Sequence, residues 1–316
     1  MHEDAQYAVF EIGMNHPDEI RPLVKLVRPH VGVVTTIAAA HLGAFASLEE
    51  IADAKAEIFE GLIDGGTAVI NGDIDQAQQL NRLAKKAGAG SILTFGHNAD
   101  NTTKVTSHKV SESGSQFSAL VSGGAVDVVS HLPGLHQIQN MLAVLTVCDL
   151  FGVDLQDAAR QIAQIRPGEG RGQTTKRKIG KGSFTLIDDA YNANPSSMVA
   201  LAQIVAAAKP GAGGRRILVL GDMFELGDHS ARLHRELAGS IAQIAVDAVF
   251  CAWPEGKHTF DALPEARQGK YKLSMSELIP AVAEAIAPGD IVGVKASNGM
   301  KFGELVNALK ERFELA

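Results

Sequence analysis

The feature that most constrains this chain is an alternation that runs twice. Short segments rich in Val, Ile and Leu are each followed by an amphipathic stretch, and the series restarts after a Gly/Pro-rich break. A short apolar run bounded by turn residues reads as a buried strand, and a stripe repeating every three to four residues reads as a helix face. Strands alternating with helices are the pattern of α/β folds built on parallel sheets. The first series predicts strands at 7–12, 31–37, 67–71 and 91–95, with helices at 18–27, 48–62 and 75–87. Ser47, with Glu50 three residues on, carries a capping-box signature ahead of the second helix. From 102 to 130 the chain turns to Ser, Thr and Val with breaks at Gly114 and Gly123-Gly124, which predicts antiparallel hairpins. Helices at 138–151 and 155–165 follow.

Arg166-Pro-Gly-Glu-Gly-Arg-Gly172 then packs a proline and three glycines into one segment and is the strongest linker signal in the chain. After it, strands are predicted at 184–187, 217–220, 248–251 and 291–294, and helices at 196–208, 230–244, 276–286 and 300–313. The reading is α/β throughout. Residues 1–168 are expected to form a mostly parallel sheet with a small antiparallel part, and residues 169–316 a Rossmann-like domain.

Composition narrows the function. The 316 residues are 46% hydrophobic and 21% charged, ample for two cores. A net charge of −7 without a basic run argues against nucleic acid or an anionic membrane as partner. No apolar stretch is long enough to span a bilayer, and the start, Met1-His2-Glu3-Asp4, lacks the apolar core of a signal peptide. Cys148 and Cys251 lie far apart in apolar surroundings and read as small buried residues. A soluble cytoplasmic enzyme or ligand binder is expected.

Lys55 is the most informative position. The 48–62 helix presents a stripe of Leu48, Ile51, Ile58, Phe59 and Leu62, and Lys55 lies four residues from both Ile51 and Phe59, on the same stripe. An ammonium there is unfavourable unless it is paired or chemically altered. The plain alternative is a lysine that snorkels from the edge of the stripe. Upstream, Glu11 closes the first predicted strand, where an acid followed by Gly suits a hard cation such as Mg²⁺, and His41 follows the second. Each alone is an ordinary loop residue; together on consecutive elements they point to a metal–nucleotide site. In the second half, Asp188-Asp-Ala-Tyr-Asn-Ala-Asn194, Gly221-Asp-Met-Phe-Glu-Leu-Gly227 and Lys295-Ala-Ser297 each follow a strand. Polar loops after several strands of one sheet suit a ligand edge, although Asn194 and Ser196 equally suit a helix cap.

Taken in order, these strings resemble the Mur ligases, and within that family the branch that adds D-alanyl-D-alanine. Glu11-Ile-Gly-Met-Asn-His-Pro-Asp-Glu-Ile20, Ala40-His41-Leu42, Lys55-Ala-Glu57-Ile-Phe59 and Leu132-Pro-Gly-Leu-His-Gln-Ile-Gln-Asn140 carry the resemblance together with the two second-half loops. It implies that Glu11, His41 and Lys55 (the last as a carbamate) are Mg²⁺ ligands and catalytic. It implies that Asn140 binds adenine, Arg171 reaches the ATP phosphates and Asp189 binds ribose. Tyr191, Asn192, Asn194, Lys295 and Ser297 are then expected around the substrates. The implied reaction joins D-alanyl-D-alanine to UDP-N-acetylmuramoyl-tripeptide in peptidoglycan synthesis, with ATP and Mg²⁺, through an acyl phosphate, by a cytoplasmic monomer that neither binds nucleic acid nor enters the membrane. The family's Gly-rich loop ending in Gly-Lys-Thr or Gly-Lys-Ser does not occur in these residues, and Gly180-Lys181-Gly182 lacks its spacing and hydroxyl. The expectation is therefore a ligase without its front part. Gln137 stands where the family uses Asn, and Ala296 and Asn298 where it uses Gly and Arg. The alternatives are a non-catalytic nucleotide- or partner-binding remnant, or a folylpolyglutamate-type or other muramoyl ligase.

Overall fold

The computed structural model describes residues 4–39 and 42–316, which form two six-stranded sheets. The first begins with α1 (Ile20–Val27), β1 (Val31–Val34), α2 (Leu48–Ala56), β2 (Thr67–Asn71), α3 (Ala77–Lys86) and β3 (Ser91–Gly96). Parallel neighbours require a crossover, which α2 and α3 supply, and β1, β2 and β3 pair in parallel. β4 (Thr103–Ser111) joins β3 in parallel, and β5 (Gly114–Val121) and β6 (Gly124–Ser130) extend the sheet antiparallel. The β5–β6 turn is tight because Ser122 and Gly123 both take positive φ, as a two-residue hairpin demands. α4 (Leu135–Leu150) and α5 (Leu155–Ile162) complete this unit. Side chains alternate across the pleat, so Ile70 joins Val24, Ile51, Phe59 and Leu80 on one face, while Val69 joins Phe95, Ile138, Leu142 and Ile162 on the other.

The second unit holds β7 (Gln173–Ile179), β8 (Gly182–Asp188), α6 (Pro195–Ala207), β9 (Arg216–Leu220), α7 (Ser230–Ala242), β10 (Ala248–Ala252), α8 (Trp253–Ala262), β11 (Gln268–Lys272), α9 (Met275–Ala285), β12 (Ile291–Lys295) and α10 (Gly303–Arg312). Its strand order is β11-β10-β9-β12-β8-β7, parallel except for the β7–β8 hairpin. Leu218 and Leu220 face α6 and α7, and Ile217 and Val219 face α9 and α10, so the sheet is covered on both sides. Packing over β12 is close. A Cβ on Gly293 would lie 2.7 Å from Val205 Cγ2 and 3.2 Å from Leu201 Cδ1. Gly293→Ala is expected to lower stability by about 1–3 kcal/mol, the usual penalty of overpacking. A urea midpoint equal to wild type would show that α6 yields without penalty.

The structure corrects several expectations. Residues 7–12 form no strand. β1 pairs with β2 alone among the described residues, so this segment finds no ladder, and Tyr7, Val9 and Phe10 stay exposed, with Tyr7 edge-on to Phe151. Glu11 therefore sits in an extended loop, not at a strand end. The 48–62 helix tightens at Glu57 into a 3₁₀ turn, Glu57–Gly61. Ser47 caps it as expected, but the Glu50 carboxylate reaches back to the N–H of Ala46, one residue before the cap. Cys251 is fully buried and Cys148 is half-buried. Gly180 and Lys181 are the turn of the β7–β8 hairpin.

Candidate functional site

In a parallel sheet the carboxyl ends of the strands share one edge, and ligands bind there. In the second unit that edge presents Asp188 at the end of β8 and Asp189 after it, Gly221 and Asp222 after β9, and Lys295 at the end of β12. Lys295 is buried, and its Nζ donates to Asp189 Oδ2 at 2.6 Å and to Asp189 O at 3.3 Å. Burial pushes the Asp189 carboxyl above its ordinary range, and the Lys295 ammonium only partly offsets this. Asp188 is held by Lys310 Nζ at 3.3 Å. Next to the pair, the Arg171 guanidinium lies 3.9 Å over the Tyr191 ring, a cation–π contact that fixes the side chain while its fork stays exposed. A cavity of about 560 Å³ opens beside them, lined by Glu169, Asp188, Tyr191, Lys301, Phe302 and Asn307.

The first unit faces this edge through the start of α4. Its N-cap, Gly134, takes φ 111°, and a Cβ there would lie 3.3 Å from Ile204 of α6. His136 and Asn140 are four residues apart and share a helix face. His136 is exposed on one side, but the protein around it and then the Lys295 charge lower its pKa to about 4. It is a neutral ring at physiological pH. Asp73, after β2, braces the same helix: its carboxylate accepts from the N–H groups of His97 at 2.5 Å and Asn98 at 3.0 Å, from Asn101 Nδ2 at 2.9 Å and from Gln139 Nε2 at 3.3 Å. Burial would raise the Asp73 pKa, but these donors together lower it.

Lys55 is half-buried at the end of α2, and desolvation lowers its pKa. Among the described residues it makes no ion pair or hydrogen bond through its ammonium. Ile12 and Met14 beside Glu11, Leu42 beside His41, and Ile51, Ala54 and Ala56 around Lys55 all join one apolar cluster. Glu11 itself is exposed, and His41 lies outside the described residues. Among those residues no three of His, Cys, Asp or Glu are gathered as a metal site. A carbamate on Lys55 would add an oxygen ligand of the kind Mg²⁺ takes, so the donor chemistry fits that ion.

Other expected site residues are partly committed to the fold. Asn194 caps α6 in a reciprocal box with Ser197, and Asn192 Oδ1 accepts from the N–H of Ala193. Ser297 is buried, its Oγ accepting from the N–H of Phe224 at 2.8 Å. The sequence reading passed over Asp73, a strand-end acid like the others, and gave Asp222 no role of its own within the Gly221–Gly227 string. Burial raises the Asp222 pKa to about 6 while its carboxylate accepts from the N–H of Gly256 at the start of α8.

Residues 1–148 match the profile of the Mur ligase middle domain, and residues 170–298 match that described as "Mur ligase, glutamate ligase domain". The UDP-N-acetylmuramoyl-tripeptide–D-alanyl-D-alanine ligase of Rickettsia prowazekii is 30% identical over 307 residues, covering 97% of this chain and 67% of the relative. The ligase of the same name from Escherichia coli is 33% identical over 308 residues, covering 96% and 65%. The crystal structure of MurF from Acinetobacter baumannii superposes with a TM-score of 0.88 at 26% identity, covering 98% of this chain and 66% of that one. The chain thus spans about two thirds of the length of these relatives.

Proposed function

The chain belongs to the Mur ligase family, and from that premise we propose that it is an ATP-dependent ligase joining D-alanyl-D-alanine to UDP-N-acetylmuramoyl-tripeptide. The observation that carries the reading is Lys55: a desolvated lysine without a carboxylate partner among the described residues, on the same apolar cluster as the neighbours of Glu11 and His41. As an ammonium it is unexplained. As a carbamate it would become an anionic oxygen donor, the third of a proposed set with Glu11 and His41. Glu11, His41 and modified Lys55 would hold Mg²⁺, which supplies charge neutralisation where two anions must meet.

The other roles follow from side-chain chemistry. Asn140, with a donor and an acceptor on one amide, reads an adenine edge. Asp189, at the sheet edge, accepts from ribose hydroxyls, and Lys295 holds it for that task. Arg171, stacked on Tyr191, offers its fork to phosphate oxygens. Tyr191, Asn192 and Asn194 shape the loop under the nucleotide, and Lys295 and Ser297 flank the place for the dipeptide. The tripeptide carboxylate attacks the γ-phosphate of ATP and ADP leaves. The dipeptide amine then attacks the acyl phosphate, the C–O bond breaks and phosphate departs. Closure of the two units would keep water from hydrolysing the acyl phosphate first. The division at 168/169, a cytoplasmic location and a monomeric state belong to the same proposal; among the described residues no helix is long and apolar enough to cross a membrane.

Phosphate release tests it. With a family phosphate loop joined ahead of residue 1, release from ATP and Mg²⁺ is expected to require both the nucleotide-linked tripeptide and D-alanyl-D-alanine. The 316 residues alone are expected to stay at background. Release that ignores the dipeptide, or that demands a different amino acid, would remove the specific reading.

A further inference from the structure

The two units also touch just after His41 in the chain, through residues that are assigned to neither nucleotide nor metal. The turn at Leu42-Gly43 of the first unit lies against the 221–227 loop of the second. The N–H of Gly43 donates to Glu225 O at 3.0 Å. Leu42 and Ala39 pack on the second unit's core, which there includes Met223 and Leu226. The backbones meet directly: a Cβ on Gly227 would lie 2.9 Å from Gly43 Cα.

The loop is held in a shape it would not adopt alone. Glu225 takes φ 64° and Gly227 φ 52°. A non-glycine residue in that region persists when its surroundings over-determine it. Two clamps do so. Ser297 Oγ accepts from the N–H of Phe224, and the N–H of Ser297 donates to Asp222 O at 3.1 Å. His234 of α7 is buried, and its Nε2 accepts from the N–H of Met223 at 3.1 Å. Its Nδ1 lies 2.9 Å from Ser230 O and therefore carries the proton, so the imidazole is neutral with both nitrogens used.

We propose that the 221–227 loop is the seat on which the Leu42-Gly43 turn docks when the two units close, and that His234 is the positioning residue that keeps the seat in shape. The inference goes beyond the ligase reading and is read from conformation, without substrates. Gly227→Ala pushes the Gly43 backbone away, and His234→Leu releases the Met223 N–H. Both loosen closure. His234→Gln places an amide oxygen near the Nε2 position and retains the acceptor.

The experiment is pulsed EPR between spin labels on Lys86→Cys and Lys270→Cys, two exposed positions on opposite units, in a Cys148→Ala background. The wild-type loop is expected to give a dominant closed distance. Gly227→Ala and His234→Leu should each lower the closed-to-open ratio about fivefold or more, the effect of losing one net hydrogen bond. His234→Gln should restore it. Closed distances that persist in folded Gly227→Ala and His234→Leu overturn the proposal, as does an open wild type or a His234→Gln indistinguishable from His234→Leu. Far-UV circular dichroism reports folding, and Gly227→Ala carries the test if His234→Leu does not fold.

Discussion

In the chain joined to a phosphate loop, Lys55→Met is expected to stop ligation while leaving the protein as stable as before, or more so. Methionine fills the volume of the lysine stem but can neither form a carbamate nor hold a cation. Loss of such a charge-stabilising group lowers kcat by about 10²–10³-fold in comparable sites. In bicarbonate-free buffer, where Lys55 is unmodified, the stability effect has the opposite sign because burial lowers its pKa below its ordinary 10.5. Between the folded and unfolded pKa values the unfolded chain binds more protons, so stability rises with pH across that window. The penalty is full below the folded pKa and gone above 10.5. Lys55→Met removes it, so the variant's advantage should shrink as pH rises toward 10.5. Two measurements check this: urea midpoints against pH, and a carbamate carbon signal in ¹³C NMR with labelled bicarbonate, present in wild type and absent in Lys55→Met. A variant that is active, or one less stable at neutral pH, would return Lys55 to the role of an edge lysine.

The sequence made the parallel strands legible because each is a short apolar run with turn residues on both sides. β2 and β12 are buried along their length, and β9 is buried after Arg216, so they read clearly. The elements that escaped are those whose burial is partial or whose start is unusual. β7, Gln-Thr-Thr-Lys-Arg-Lys-Ile, and β11, Gln-Gly-Lys-Tyr-Lys, are outer strands with polar faces, each paired with one strand, and β7 is bridged on its other side by the C-terminal tail at Leu315. α8 opens on Trp253 at φ 66° followed by Pro254, which sequence reasoning takes as a loop. The error at 7–12 has the reverse cause. A β-rich segment forms a strand only where another strand offers a ladder, and its composition does not say whether one is there.

The candidate site was legible where chemistry and position conflict locally. Lys55 on an apolar stripe is such a conflict, and the paired acids at 188–189 are another. What sequence could not show was pairing across long separations. Lys295 and Asp189 are brought together by the β8–β12 pairing. Gly43 and Glu225 meet because two units fold against each other, and nothing in the Gly221–Gly227 string says that Gly43 is its partner. His234 is likewise one ordinary helix residue until the Met223 N–H arrives at its ring. Distance in sequence, rather than weakness of the interaction, hid these contacts.

Lys295→Met carries the largest expected effect on stability. Lys295 is 5% and Asp189 23% exposed at the side chain, so the substitution strands a carboxylate in a poorly solvated place. Removing one partner of a buried pair destabilises by about 3–5 kcal/mol, and the residual exposure of Asp189 reduces this to about 2–3 kcal/mol. The pH dependence follows from the raised Asp189 pKa. Between its unfolded value of 3.8 and the folded value, the native state binds more protons, so stability falls as pH rises through that window. Without Lys295 the folded pKa moves higher still. The gap between variant and wild type should therefore be widest at neutral pH and close as pH falls toward 3.8. Adding Asp189→Asn should recover most of the loss, because an amide tolerates the site without a counter-charge. Urea titrations of the four members of this cycle measure the coupling directly. If the double variant is as unstable as the two single losses added together, Lys295 and Asp189 are independent residues, and Lys295 does not hold Asp189 for the nucleotide.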